Sequence, residues 1–251
     1  MSTSSLALCF DAPMQSWGTR SRFIVRDTAT EPTKSGVVGL LAAALGVPRH
    51  DDAGIAALAA LRMGVRVDRE GLMERDFHTA QNVPSTLGTG HRTIVSHRYY
   101  LADALFLVVL EGDSGLLARL RDAVRRPRWP IFFGRKAFVP TRPLLASGHD
   151  GEPRTGAGLV DRPMDTVLTE HPWLELRHDA RKQEVRAIRG AGSVTLRTIV
   201  DSPGTGLENE LRYDHPVSLA SGDRRFATRA VRVGEVPLTE EMVSPEVARC
   251  S

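Results

Sequence analysis

Seven consecutive apolar residues, Ala104 to Leu110 (ALFLVVL), separate a long polar tract from a helical pattern. A continuous run of this kind reads as a central strand, and the first half of the chain arranges itself around it. Leu6 to Phe10 reads as a first strand, broken by Asp11-Ala12-Pro13. Gln15-Ser16-Trp17-Gly18 then opens a loop that carries Arg20, Arg22 and Arg26 and runs to Pro32. Thr33 or Ser35 can cap a helix whose apolar face is Val37, Val38, Leu40, Leu41, Ala44 and Leu45, ended by Gly46 and Pro48. A short helix follows from Asp52 to about Leu61. Met63, Val65 and Val67 then alternate as in a half-buried strand, with a hairpin tip at Glu70-Gly71. After the apolar run, Ser114 to Arg125 reads as a helix with Leu116, Leu117, Leu120 and Val124 inward, stopped by Pro127. A last strand is expected near Ala137 to Val139. This βαββαβ order is that of an α+β, ferredoxin-like (RRM-like) domain, an antiparallel sheet with helices on one face. That architecture is frequent among RNA-binding modules.

Arg75 to Leu101 departs from the pattern. Two polar, strand-capable arms flank Pro84-Ser85-Thr86-Leu87-Gly88-Thr89-Gly90, a segment too polar for a core. A long projecting hairpin is expected over about residues 75–101. After Leu145 the chain becomes rich in glycine and proline, and candidate strands follow at Trp173–Arg177, Glu184–Arg189, Val194–Val200 and Phe226–Val233. The expected organisation is a first unit over 1–145 with the hairpin inserted, then a β-rich C-terminal region over 146–251.

Composition narrows the partners. The net charge is +3, and lysine occurs only at Lys34, Lys136 and Lys182, so the positive charge is almost all arginine. Arginine offers a planar fork that matches phosphate and stacks on bases. Such a balance permits a nucleic-acid partner, although a genome that favours arginine codons would write it too. Cys9 and Cys250 form no CxxC or zinc set, no apolar run reaches membrane-span length, and the N-terminus lacks a signal-peptide pattern. A cytoplasmic protein without membrane contact is expected, and no cofactor or metal.

Four segments have chemical content. Pro32-Thr33-Lys34-Ser35-Gly36 opens a helix, where free N–H groups, Lys34 and the Ser35 hydroxyl suit a phosphate; a plain helix cap fits equally well. Phe133-Gly134-Arg135-Lys136 joins a glycine turn to two cations able to reach phosphate oxygens, or is a solvated loop. The hairpin carries His78, Gln81, Asn82, His91, Arg92, His97, Arg98, Tyr99 and Tyr100, side chains that stack on or hydrogen-bond to unpaired bases. Trp17, in PMQSWG, stacks on a base or packs in the core. No HExxH or GxSxG motif is present. His97 with Tyr99 or Tyr100 and Lys136 is the one set suited to metal-free RNA cleavage.

Together these segments resemble the fifth Cas (RAMP-like) protein family in its type I-E branch. The likeness lies in APMQSWG, PTKSGVVGLLAAALGVPRHDD, RDFHTAQ, RYYLADALFLVVLEG and FFGRKAFVPTRPL. It continues in Asp201-Ser202-Pro203, Asp214-His215-Pro216-Val217-Ser218 and Arg224-Arg225-Phe226-Ala227-Thr228-Arg229. The pairing of PMQ-WG with PTKSG-VGLL is the specific part, and residues 148–195 match least. The resemblance implies a ferredoxin-like palm with a β-hairpin thumb. It implies a non-catalytic subunit of the antiviral ribonucleoprotein called Cascade, one that holds the 5′ handle of the CRISPR RNA. The implied protein partners are the CasC backbone subunits, whose filament it caps, and the CasA large subunit; target DNA is engaged only through the complex. Carried onto this chain, the RNA-binding residues would be Gln15, Trp17, Arg22, Lys34, Ser35, Arg135 and Lys136 on the palm, with Arg92, His97 and Arg98 on the thumb. Type I-C relatives process precursor RNA, so a metal-independent endoribonuclease is the alternative.

Overall fold

The computed structural model describes residues 4–19, 24–85, 88, 90–145, 158–191, 194–204, 206 and 209–243. In chain order the strands are β1 (Ser4–Asp11), β2 (Met14–Gln15), β3 (Val25–Arg26), β4 (Arg62–Arg69), β5 (Leu72–Pro84), β6 (His91–Ala102), β7 (Leu105–Gly112), β8 (Gly158–Val160), β9 (Val194–Asp201), β10 (Asn209–Ser218) and β11 (Arg225–Leu238). The helices are α1 (Lys34–Leu45), α2 (Asp52–Ala59), α3 (Ser114–Arg125), α4 (Met164–Glu170), α5 (His178–Ala191) and α6 (Glu240–Val243).

One seven-stranded sheet runs β10-β11-β9-β4-β7-β1-β8, and every pairing in it is antiparallel. The apolar run forms β7, between β1 and β4. Because side chains alternate across a strand, β7 serves two cores. Phe106, Val108 and Leu110 join Leu6, Leu8 and Phe10 of β1 beneath α1, α2 and α3. Leu105, Leu107 and Val109 join Ala7, Cys9 and residues of α4 on the other side. The sheet is therefore covered on both faces, not one. The local signals of the helices hold: Thr33 caps α1 by accepting from the Gly36 amide (3.3 Å), and Gly46 ends it at φ 80°.

Further expectations are corrected. Residues 137–139 form no strand; they lie in an irregular segment pinned by Phe133 and Phe138, and β8 occupies the place beside β1. Residues 173–177 are irregular, and 184–189 lie within α5, where Val185 and Ile188 pack at helical spacing against Trp173, Leu196 and Leu238. The region after 146 is thus mixed in secondary structure, and β9 to β11 extend the same sheet, since β9 pairs with β4. Finally, β4 is buried along both faces. Arg66 is fully buried and donates to both Asp68 oxygens (2.7 and 3.0 Å) and to the carbonyls of Leu168, His171 and Pro172 (2.9, 2.8 and 3.1 Å). This buried guanidinium is one of the latches between the second layer and the sheet.

His171 sits against that latch, its Nδ1–H donating to the Pro172 carbonyl (2.8 Å). Burial, with the Arg66 charge beside it, pushes its imidazole down from 6.5 to about 4. The unfolded chain therefore takes up this proton below pH 6.5 while the folded chain stays neutral until about pH 4, so stability falls as pH drops through that window. A depression of this size corresponds to roughly 3 kcal/mol. Denaturation at pH 7 and pH 4.5 should show the loss, and His171→Asn should flatten it; an identical slope in that variant would refute the assignment.

Candidate nucleic-acid interface

The polar tract forms a two-stranded hairpin, β5 on β6, paired from Leu72–Ala102 to Pro84–His91. Twelve residues at strand rise make it roughly 40 Å long, and β5 is exposed almost throughout. Two short strands from the loop after β1 brace its base. β2 pairs with Leu101 and Ala102, and β3 lies parallel to β6 with Val25 opposite His97 and Arg26 opposite Arg98. Arg98 thus lies between Arg26 on β3 and Asp76 on β5.

The Phe133-Gly134-Arg135-Lys136 turn brings a third arginine to the same corner. Gly134 has φ 87°, and a Cβ there would lie 1.8 Å from the Ser16 carbonyl oxygen. Only glycine lets the turn press against that carbonyl. Ser16 also donates its amide to the Phe133 carbonyl (3.1 Å), and the Phe133 ring packs between Phe10 and Trp17. Fixed this way, Arg135 donates Nη2 to the Tyr99 carbonyl (2.7 Å) and lies over the Phe138 ring at 5.2 Å. Its pKa is held below the ordinary arginine value by burial first, then by the charges of Arg98 and Arg26, with Asp76 and Tyr100 opposing. Lys136 is exposed on the same turn. Three arginines from three separate segments thus converge at the foot of the hairpin, with Asp76 opposite Arg98, in an arrangement that suits an anion.

Alternation along β6 separates the hairpin side chains. Arg92, Arg98 and Tyr100 share one face. His97 and Tyr99 take the other, with Phe77 opposite His97 and 66% exposed. His97 and Arg92 are exposed.

Several expected contacts go elsewhere. Gln15 is fully buried, donating to the Phe10 and Ala104 carbonyls (3.3 and 2.8 Å) and accepting from the Trp17 indole (3.2 Å). Trp17 is a core residue stacked on Phe10 at 5.6 Å. Both were expected to face RNA; both instead set the position of the loop after β1. Lys34 is buried, its Nζ 2.6 Å from Asp201, while its backbone N–H donates to Asp214 (2.8 Å). Asp214 and Asp201 also bind Arg229. The start of α1 is occupied by the chain's own Asp214, from 180 residues away, so both the amide and the ammonium of Lys34, expected to face a phosphate, are engaged within the chain. Ser35 is half-buried in the first turn of that helix. Arg22 and the hairpin residues Thr86, Leu87 and Thr89 lie outside the described residues. Sequence reasoning had Arg26 in a loop and passed over its role, because its partner strand is more than seventy residues away. Phe77 was not singled out from the sequence; the signal available there is a lone phenylalanine in a polar strand.

Among the described residues no cluster of three or more His, Cys, Asp or Glu side chains could hold a metal, and no helix is long and apolar enough to cross a membrane.

Comparison with known proteins bears on this arrangement. The chain is 34% identical over 156 residues to the CRISPR system Cascade subunit CasD of Escherichia coli (strain K12), a match covering 57% of this chain and 70% of that one. A crystal structure of a Cas protein superposes with TM-score 0.66 at 37% identity, covering 95% of this chain and 96% of the other. A chain of a CRISPR RNA-guided surveillance complex superposes with TM-score 0.69 at 32% identity, covering 93% and 91%. The profile of the CRISPR-associated protein (Cas_Cas5) family matches residues 5–232. A match of that extent leaves one conclusion: the chain belongs to the CRISPR-associated protein (Cas_Cas5) family.

Proposed function

We propose that this chain is the CasD-type subunit of a type I-E Cascade surveillance complex, and that it holds the 5′ handle of the CRISPR RNA without cutting it. The observation that carries the reading is the convergence of Arg26, Arg98 and Arg135 at the base of a long exposed hairpin. The cations suit the backbone of an unpaired strand. The exposed aromatic and polar residues of the hairpin suit its splayed bases. The family and the surveillance-complex likeness agree with this role. CasC and CasA are the protein partners this reading carries, target DNA is met only through the complex, and the setting is the cytoplasm. We read β1, β4, β7 and β8 with α1 and α3 as a ferredoxin-like palm, supported by the order β4-β7-β1-β8, and the β5–β6 hairpin as its thumb. Cleavage stays the alternative reading: His97 and Tyr99 share one face of β6, while Tyr100 lies on the other.

Arg98→Ala with Arg135→Ala tests the site. Affinity for single-stranded handle RNA should fall roughly 10- to 100-fold. The slope of log affinity against log salt should become shallower by about 1.4, the share of two phosphate contacts on a single strand. An unchanged slope would remove these residues from the interface. A specific cut in repeat RNA by the purified chain in chelator, abolished by His97→Ala, would replace holding with cleavage.

A further inference from the structure

Between α3 and the Gly134 turn the chain reads Arg125-Arg126-Pro127-Arg128-Trp129-Pro130, and all six residues are exposed. Trp129 is 43% exposed, unusual for a residue type that is highly buried on average. The segment is nonetheless fixed. The Arg128 amide donates to the Ala44 carbonyl (2.9 Å) and the Trp129 amide to the Ala43 carbonyl (3.1 Å), both at the end of α1. The Arg128 stem lies over Gly46, where a Cβ would approach its Cγ to 2.8 Å. Pro127 and Pro130 restrict the backbone on either side.

Capping of α1 accounts for those backbone bonds and for the placement of a cation at a helix C-terminus. It does not account for an indole held open to solvent. Nor does it account for Arg126, which like Arg128 pairs with no carboxylate among the described residues. Arg49 and His50, exposed on the turn after α1, leave this end of the helix without local acidic compensation except Asp51 and Asp52 at the start of α2. A rigid, exposed aromatic between cations is the arrangement that binds single strands without regard to sequence.

We propose that this segment is a second nucleic-acid contact, in which an unpaired base stacks on Trp129 while Arg126 and Arg128 hold the phosphates on either side. It rests on the RNA-binding reading above and adds a separate surface. Arg135 is tied to the Tyr99 carbonyl at the foot of the hairpin, whereas Arg128 and Trp129 are tied to the last turn of α1, so the two contacts rest on different elements. The chemistry fits either RNA that continues past the handle or a single strand of DNA.

The test uses the full chain and three labelled single strands: handle RNA alone, handle RNA extended by an unstructured tract, and DNA of the extended length. Trp129→Ala should weaken an extended probe about tenfold, and Trp129→Phe, which keeps a ring, should recover most of it. Arg126→Ala with Arg128→Ala should make the salt slope shallower by about 1.4. A loss confined to extended RNA assigns the site to the guide side; a loss on DNA assigns it to a displaced or target strand. If Arg98→Ala with Arg135→Ala weakens binding but none of these variants does on any probe, the second contact is wrong and the first site stands. Loss of co-purification with protein subunits at unchanged probe affinity would make the segment a protein interface and overturn the proposal. A wild-type chain that binds none of the probes would overturn both readings.

Discussion

Gly134→Ala should be the single substitution that most damages both folding and RNA binding. At φ 87° the backbone occupies a region where an L side chain is strained by about 1–2 kcal/mol. The added carbon would also lie 1.8 Å from the Ser16 carbonyl oxygen, inside any van der Waals contact. The turn must then leave Ser16, which breaks the Ser16 amide to Phe133 carbonyl bond and pulls the Phe133 ring from Phe10 and Trp17. A loss of about 3–5 kcal/mol is expected in urea denaturation, the range of exceptional core disruptions. Arg135 leaves the Tyr99 carbonyl with the turn, so RNA affinity should fall in the variant even at temperatures where it remains folded. Arg135→Ala alone should weaken RNA binding at far smaller cost in stability. A Gly134→Ala protein with wild-type denaturation midpoint and affinity would mean that the turn is not seated on Ser16.

The second large effect lies away from the interface. Arg66→Ala would remove four hydrogen-bonding partners at once from a site with no solvent, leaving the Asp68 carboxylate buried without its counter-charge. Breaking one side of a buried ion pair typically costs 3–5 kcal/mol, which in a chain of this size lowers the melting temperature by roughly 10–15 °C. Pairing Arg66→Met with Asp68→Asn should recover part of the loss. The charge is then gone, while the amide oxygen can still accept from Leu174 N–H, which now donates to Asp68 (2.8 Å). RNA affinity of the folded variants should be unchanged, since the latch lies on the sheet face opposite α1 and α3. A double variant no more stable than Arg66→Ala would show that the carbonyl contacts of Leu168, His171 and Pro172, not the stranded charge, set the cost.

What the sequence revealed and what it hid divide by range. The apolar run at Leu105 to Leu110, the caps of α1 and the two arms of the hairpin are local patterns, and they are where the chain's residues place them. Alternation in β4 was legible too, but its polar half was misread as a wet face. Gly64, Arg66 and Asp68 face residues 164–174, a hundred positions later, and a buried ion pair looks in sequence like an exposed one. The same range effect governs the site. Lys34 at a helix start has the composition of a phosphate ligand, and only the return of β10 delivers Asp214 to the amides of α1. Gln15 and Trp17 are residue types that bind RNA well, yet the Gln15 amide is consumed by the Phe10 and Ala104 carbonyls. Arg98 and Arg135 could be singled out from a polar arm and a glycine turn. Their meeting with Arg26 depends on a two-residue parallel strand that leaves no periodic trace.

The account stands most directly on where RNA touches this chain. Crosslinking of an assembled complex whose guide carries 4-thiouridine through its 5′ segment, read by mass spectrometry, measures that. Crosslinked peptides should contain the β5–β6 hairpin and residues 133–138, with Arg26 nearby. Crosslinks confined to β9, β10 and β11, with none on the hairpin or the Gly134 turn, would contradict it.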